Sequence, residues 1–128
     1  AFGLHESVEL IPGFFNLTYI RNTGAAWGMF SGQNLTLALL AAVMLVALVL
    51  FRRKIMPPGT LHRVALGLVC GGIAGNLLDR LRIDYVTDYL DFYVGTWHWP
   101  AFNIADAAIC IGVGIYLLGT LLAPRPAP

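Results

Sequence analysis

The chain has 128 residues, 58% of them hydrophobic and 12% charged, with a net charge of +1 and a mean hydropathy of +0.72. An ordinary soluble domain carries about 25% charged residues, so this composition excludes the soluble class and points to a membrane protein. A net charge of +1 gives no argument for nucleic acid. Cys70 and Cys110 both lie inside apolar runs, which suits packing rather than a disulfide framework or a metal site. His5, His62 and His98 have no ligand-like spacing.

Residues 1–12 are short and mixed, with no basic n-region and no long apolar h-region, so no signal peptide is expected there. Residues 14–20 are aromatic and β-branched with an imperfect period of two, which predicts a short strand. Asn22-Thr23-Gly24 supplies a turn. Arg21-Asn22 reads equally well as part of that turn with a solvated charge.

An uncharged apolar run, 34–51, follows and is stopped by Arg52-Arg53-Lys54. Its length is near the lower end for a spanning helix, about 17–25 residues. Pro57-Pro58-Gly59 is a rigid turn. Further apolar segments cover about 64–81 and 104–122, and APRPAP closes the chain as an expected disordered tail. Arg52, Arg53, Lys54, Arg63 and Arg125 share one side of this arrangement with no acid among them, so that side is expected to be cytoplasmic. The other side holds Arg21, Arg80, Arg82, Glu6, Glu9, all five aspartates, and an aromatic belt of Trp27, Trp97 and Trp99. Three spans ending in the cytoplasm put residues 1–33 outside, which predicts a further span before Ala1. The alternative is that 1–33 re-enter from the cytoplasm.

Polar residues concentrate in 71–106. Gly72, Gly75, Asn76 and Asp79 follow helical spacing and share a face, while Gly67, Gly71 and Gly75 suit close helix approach. Asn76 and Asp79 serve either as helix–helix glue or as part of a site. Asp79 lies near a helix C-terminus, where an anion is disfavoured, so an ion pair with Arg80 or Arg82 is expected. Asn103 and Asp106 match an N-cap and its N3 acid. Asn103, Asp106, Ala107, Cys110 and Gly114 share a face of small residues, which is expected to be the packed face and to turn Asp106 inward. Asp88 is a candidate partner for Asp106.

Ionisable groups at a membrane edge default to function. Two carboxylates brought together there cannot both ionise cheaply: burial raises both pKa values and repulsion raises one further. Such a pair shares a proton and activates a water, as in aspartic proteases. Spacing alone leaves open which of Asp79, Asp84, Asp88, Asp91 and Asp106 are paired.

RNTGAAWGMF (21–30), GGIAGNLLDRL (71–81), YVTDYLDF (85–92) and FNIADAAI (102–109) resemble, in order, the signature blocks of lipoprotein signal peptidase, bacterial signal peptidase II. The resemblance covers about residues 6–122. It implies a mainly α membrane protein, a small helical bundle of four spans with a small extracytoplasmic β-rich cradle, here about residues 6–33. It implies an aspartic endopeptidase of the bacterial inner membrane that cuts prolipoproteins just before the diacylglyceryl-cysteine. The catalytic pair falls on Asp88 and Asp106, and supporting residues fall on Asn22, Asn76, Asp79, Arg80 and Asn103. No metal or other cofactor is implied. Membrane lipid and globomycin-class inhibitors are implied ligands. The family's first span, with its own aspartate, has no counterpart before Ala1, and Trp27 stands where the family usually has Phe.

Two other classes fit parts of the pattern. A lipid head-group transferase would use a metal, and Asp84, Asp88 and Asp91 have i, i+4, i+7 spacing that could bind Mg²⁺ through carboxylates. A non-enzymatic packing or transport subunit would use the aspartates for assembly.

Overall fold

A computed structural model describes residues 2–124; Arg125 and the rest of the tail lie outside the described residues. Two strands, β1 (Ser7–Ile11) and β2 (Phe15–Asn22), lead through a short 3₁₀ turn at Ala26–Gly28 into α1 (Asn34–Ile55). Then come α2 (Thr60–Ile83), β3 (Val86–Val94), β4 (Trp97–His98) and α3 (Ile104–Leu122).

The three helices are long and apolar enough to cross a membrane, with mean hydropathies of 2.6, 1.4 and 1.9. Leu35, Leu50 and Leu121 are largely exposed on them, as in a protein whose solvent is lipid. The chain is a multi-pass membrane protein. α1 extends past the apolar run through Arg52, Arg53 and Lys54 to Ile55. Cations are favourable at a helix C-terminus, so the charges that end the apolar run do not end the helix.

α2 is the shared neighbour of α1 and α3. Its contact with α3 is built on Gly72: a Cβ there would lie 2.4 Å from the Ala105 carbonyl oxygen and 2.6 Å from Ile109. On the α3 side Gly112 meets Val69 and the Ala65 carbonyl, and Gly119 meets His62. Two sequence expectations change here. Of Gly67, Gly71 and Gly75, only Gly75 touches a neighbouring helix, at Ala105, and the other two face open space. Gly114 also faces open space and Cys110 is exposed, so the packed stripe of α3 is Ala105, Ile109, Gly112 and Gly119. Each residue turns about 100° around a helix, so one position moves a side chain off the contact line.

The strands form one antiparallel sheet in the order β1-β2-β3-β4. β3 lies in the connection that the sequence left without secondary structure, and it pairs with β2 from Phe15↔Phe92 to Asn22↔Val86. Asp84 ends α2 in the left-handed conformation at φ 64°, a state Asp tolerates better than most residues. The chain therefore reverses from α2 straight into β3. At its middle β3 holds the start of α3: Tyr89 and Leu90 both donate backbone N–H bonds to the Phe102 carbonyl, and Phe102 donates back to Leu90 at 3.1 Å. This clamp seats Asn103, the residue that starts α3, beside β3.

Candidate active site

Four elements converge at the β3 end of the helices. β3 supplies Asp88, α2 supplies Asn76, the end of β2 supplies Asn22, and the start of α3 supplies Asn103 and Asp106. Asn103 is the N-cap of α3 in a full capping box: its Oδ1 accepts from the Asp106 backbone at 3.0 Å, and Asp106 Oδ2 accepts from the Asn103 backbone at 3.1 Å.

The same two side chains face inward. Asn103 donates through Nδ2 to Asp88 Oδ1 at 3.0 Å and to Asn76 Oδ1 at 3.1 Å. Asn76 donates to Asp106 Oδ1 at 2.7 Å. Asn22 donates to the second oxygen of Asp88 at 2.9 Å. Each carboxylate thus accepts two N–H bonds, and the row Asp88–Asn103–Asn76–Asp106 is continuous. The row also fixes the amide orientations of Asn76 and Asn103, since turning either one would set donor against donor.

Asp88 is 3% exposed. Burial pushes its carboxyl up to about 6, and the neighbouring Asp106 charge adds to the rise. The amides of Asn22 and Asn103 and the more distant Arg80 cation oppose it. Desolvation wins because a carboxylate loses more on leaving water than two neutral donors return.

Both aspartates line a cavity of about 540 Å³ with Asn22, Asn76 and Arg80. Trp27, Trp99, Phe102, Ala107 and Cys110 provide apolar wall. The small-residue face of α3 therefore lines a cavity rather than a helix contact, and Asp106 does point inward. Trp27 adopts φ 61° and packs edge-on to Trp99, with ring centroids 5.5 Å apart.

Arg80 and Asp79 part company. Arg80 donates to the Gly24 carbonyl at 2.6 Å and to Asn34 Oδ1 at 3.0 Å. It ties α2 to the start of α1 and to the loop after β2. The expected ion pair of Asp79 with Arg80 or Arg82 does not form among the described residues, because Arg80 is committed to these oxygens. Asp79 is outside the cavity lining. Asp84, Asp88 and Asp91 do not share a helical face, since Asp88 and Asp91 lie on a strand three residues apart and point to opposite sides. Asp91 is buried instead against Asn16, at 3.0 Å, and His98, at 2.7 Å.

Sequence reading missed Asn34, the Gly24 carbonyl and the Asp91–His98 pair. No spacing signals these contacts, which join residues 46, 56 and 7 positions apart. It also missed β3 as a strand, although the alternating β-branched and aromatic residues of VTDYLDFYV carry that signal.

Residues 1–122 match the family profile described as Signal peptidase (SPase) II. The chain belongs to the signal peptidase II family. It is 45% identical over 118 residues to a lipoprotein signal peptidase of Syntrophotalea carbinolica, covering 90% of this chain and 73% of that protein. It is 47% identical over 119 residues to the corresponding protein of Syntrophus aciditrophicus, covering 88% and 73%. A bacterial membrane enzyme solved by the in meso method at 2.3 Å superposes with a TM-score of 0.84 at 33% identity, covering 98% of this chain and 80% of that one. As a member of the signal peptidase II family the chain is a peptidase of the aspartic type.

Proposed function

We infer that Asp88 and Asp106 are the catalytic pair of an endopeptidase that removes the signal peptide from diacylglyceryl-modified prolipoproteins, just before the lipidated cysteine. The observation that carries this reading is the amide-bridged row Asp88–Asn103–Asn76–Asp106 on the wall of a largely apolar cavity. Its residue types and order also fit a family whose curated members are named lipoprotein signal peptidases.

The two carboxyls divide the work by environment. Asp106 sits in the first turn of α3 on the cavity wall, where it accepts from Asn76. Asp88 keeps its proton up to about 6. Asp106 is therefore the general base in the first step and Asp88 the general acid. Asp106 takes a proton from water as the water oxygen bonds to the scissile carbonyl carbon, and Asp88 gives its proton to the carbonyl oxygen. On collapse the C–N bond breaks, and the proton held by Asp106 goes to the leaving amine while the hydroxyl proton returns to Asp88. Asn22, Asn76 and Asn103 hold the pair in register. Arg80 acts indirectly, by holding the 24–34 loop at the cavity mouth.

The cation asymmetry supports a bacterial cytoplasmic membrane with the aspartates near the extracytoplasmic face. The sheet then forms an extracytoplasmic cradle. A lipid-anchored substrate meets such a site at bilayer depth, with its acyl chains in the membrane, and a globomycin-class peptide would compete for the same cavity.

The test is cleavage of a diacylglyceryl-modified prolipoprotein in lipid, with and without EDTA, by the parent chain, Asp88→Asn and Asp106→Asn. Chelator-resistant cleavage abolished in both variants is the expected result. Cleavage retained by either folded variant would overturn the pair.

A further inference from the structure

The far end of the helices from the aspartates holds a second cavity, of about 430 Å³, between the C-terminus of α1 and the N-terminus of α2. Arg52, Arg53 and Arg63 line it, together with His62 and Gly59. No acidic residue occurs between Glu9 and Asp79, and the only ion pair among the described residues is His98–Asp91. Three guanidinium groups and the Lys54 ammonium therefore crowd one helix junction without a carboxylate. Like charges gathered this way repel unless an anion is shared among them.

Three further features face the same space. His62 is 4% exposed, and its Nε2 meets Thr120 Oγ1 at 3.3 Å. Its Nδ1 has no hydrogen-bond partner among the described residues and lies towards Gly59, 3.7 Å from where a Cβ there would stand. Gly59 is the N-cap of α2 and offers no side-chain cap, so the first N–H groups of the helix have no side-chain acceptor at the positive end of the dipole. Met56, Pro57, Pro58 and Leu66 supply the apolar part of the cavity wall. A basic cavity with an apolar flank, at the ends of two spanning helices, matches an amphiphile with a phosphate head better than a free anion.

We propose that this cavity binds the phosphate headgroup of an anionic membrane lipid, with Arg53 and Arg63 on the phosphate and Met56 and Leu66 against the start of the acyl chains. The site is separate from the aspartates and does not depend on the peptidase reading.

Native mass spectrometry of the whole chain, titrated with phosphatidylglycerol or phosphatidylcholine of the same acyl chains, tests this. Phosphatidylglycerol should bind at least about tenfold more tightly. Each neutralised arginine should cost about fivefold, so Arg63→Gln weakens binding about fivefold and Arg53→Gln/Arg63→Gln about 25-fold. Lys54→Gln removes the same charge from a side chain that leans over Phe51, at 5.9 Å, and does not line the cavity; it should change binding less than twofold. All these side chains are exposed, and circular dichroism of each variant should match the parent. Equal binding of the two lipids, or equal losses for Lys54→Gln and Arg63→Gln, would overturn the site in favour of diffuse surface charge. Displacement of the lipid by glycerol phosphate at matched concentration would overturn the lipid as occupant and leave a soluble phosphate.

Discussion

Asn103 donates its side-chain amide to Asp88 at 3.0 Å, and this buried bond joins the start of α3 to the middle of β3. The same residue caps α3. Its one side chain thus both starts a helix and sets the spacing of two acids.

The two jobs of Asn103 separate on mutation. Asn103→Asp keeps an oxygen for the Asp106 backbone N–H but loses both amide donors and adds a third carboxylate. Asn103→Ala loses the cap as well, at about 1 kcal/mol. Cleavage should fall at least about 100-fold in both, since the row between the acids is broken. Only Asn103→Ala loses the cap, and helix content by circular dichroism should report that difference. Near-parental turnover by Asn103→Asp would show that the bridge is not needed.

Asp88 makes stability depend on pH in a direction opposite to a salt-bridged acid. Its folded pKa, about 6, lies above the usual carboxylate value. Its favourable contribution is therefore complete only below the unfolded value of about 3.9, and is lost as pH rises from there through about 6. Asp88→Asn removes this titration but sets an NH₂ against a donor of Asn22 or Asn103, which costs about 1–2 kcal/mol at every pH. Between pH 4 and pH 7.5 the difference between variant and parent should move in favour of the variant, by at most about 3 kcal/mol. Thermal unfolding in detergent at the two pH values measures the shift, and no change in the difference would mean that Asp88 titrates normally.

Activity should follow the same proton. If Asp88 acts first as the acid, kcat/KM falls as pH rises through about 6 in the free enzyme, because its proton has then gone. The fall in kcat should come at higher pH, since bound substrate removes more water from the carboxyl. A kcat/KM profile flat from pH 5 to pH 8 would contradict the assigned order of acid and base.

Neighbouring glycines on α2 should respond oppositely. Gly72→Ala forces a methyl to 2.4 Å from the Ala105 carbonyl, which prises α3 from α2 just beside Asp106. Destabilisation of about 1–3 kcal/mol and a large loss of cleavage are expected. Gly71→Ala enters open space and should stabilise the helix by up to about 1 kcal/mol with activity unchanged. Thermal unfolding and cleavage rates of the two variants decide this.

Much of this protein is readable in one dimension. Hydrophobic runs report spans because lipid contact is a local demand on each residue, and Leu35, Leu39, Val43 and Leu50 meet it on the exposed face of α1. The capping box of Asn103 and Asp106 is local too, spanning three residues. Tertiary structure alone decided which faces of these helices meet and which acids share a wall. Gly72 rather than Gly71 touches α3, and Arg80 turns to Gly24 and Asn34 rather than to Asp79. Those choices rest on the crossing of α2 and α3 and on the pairing of β2 with β3. They bring together residues tens of positions apart, and no repeat or spacing along the chain encodes a direction in space.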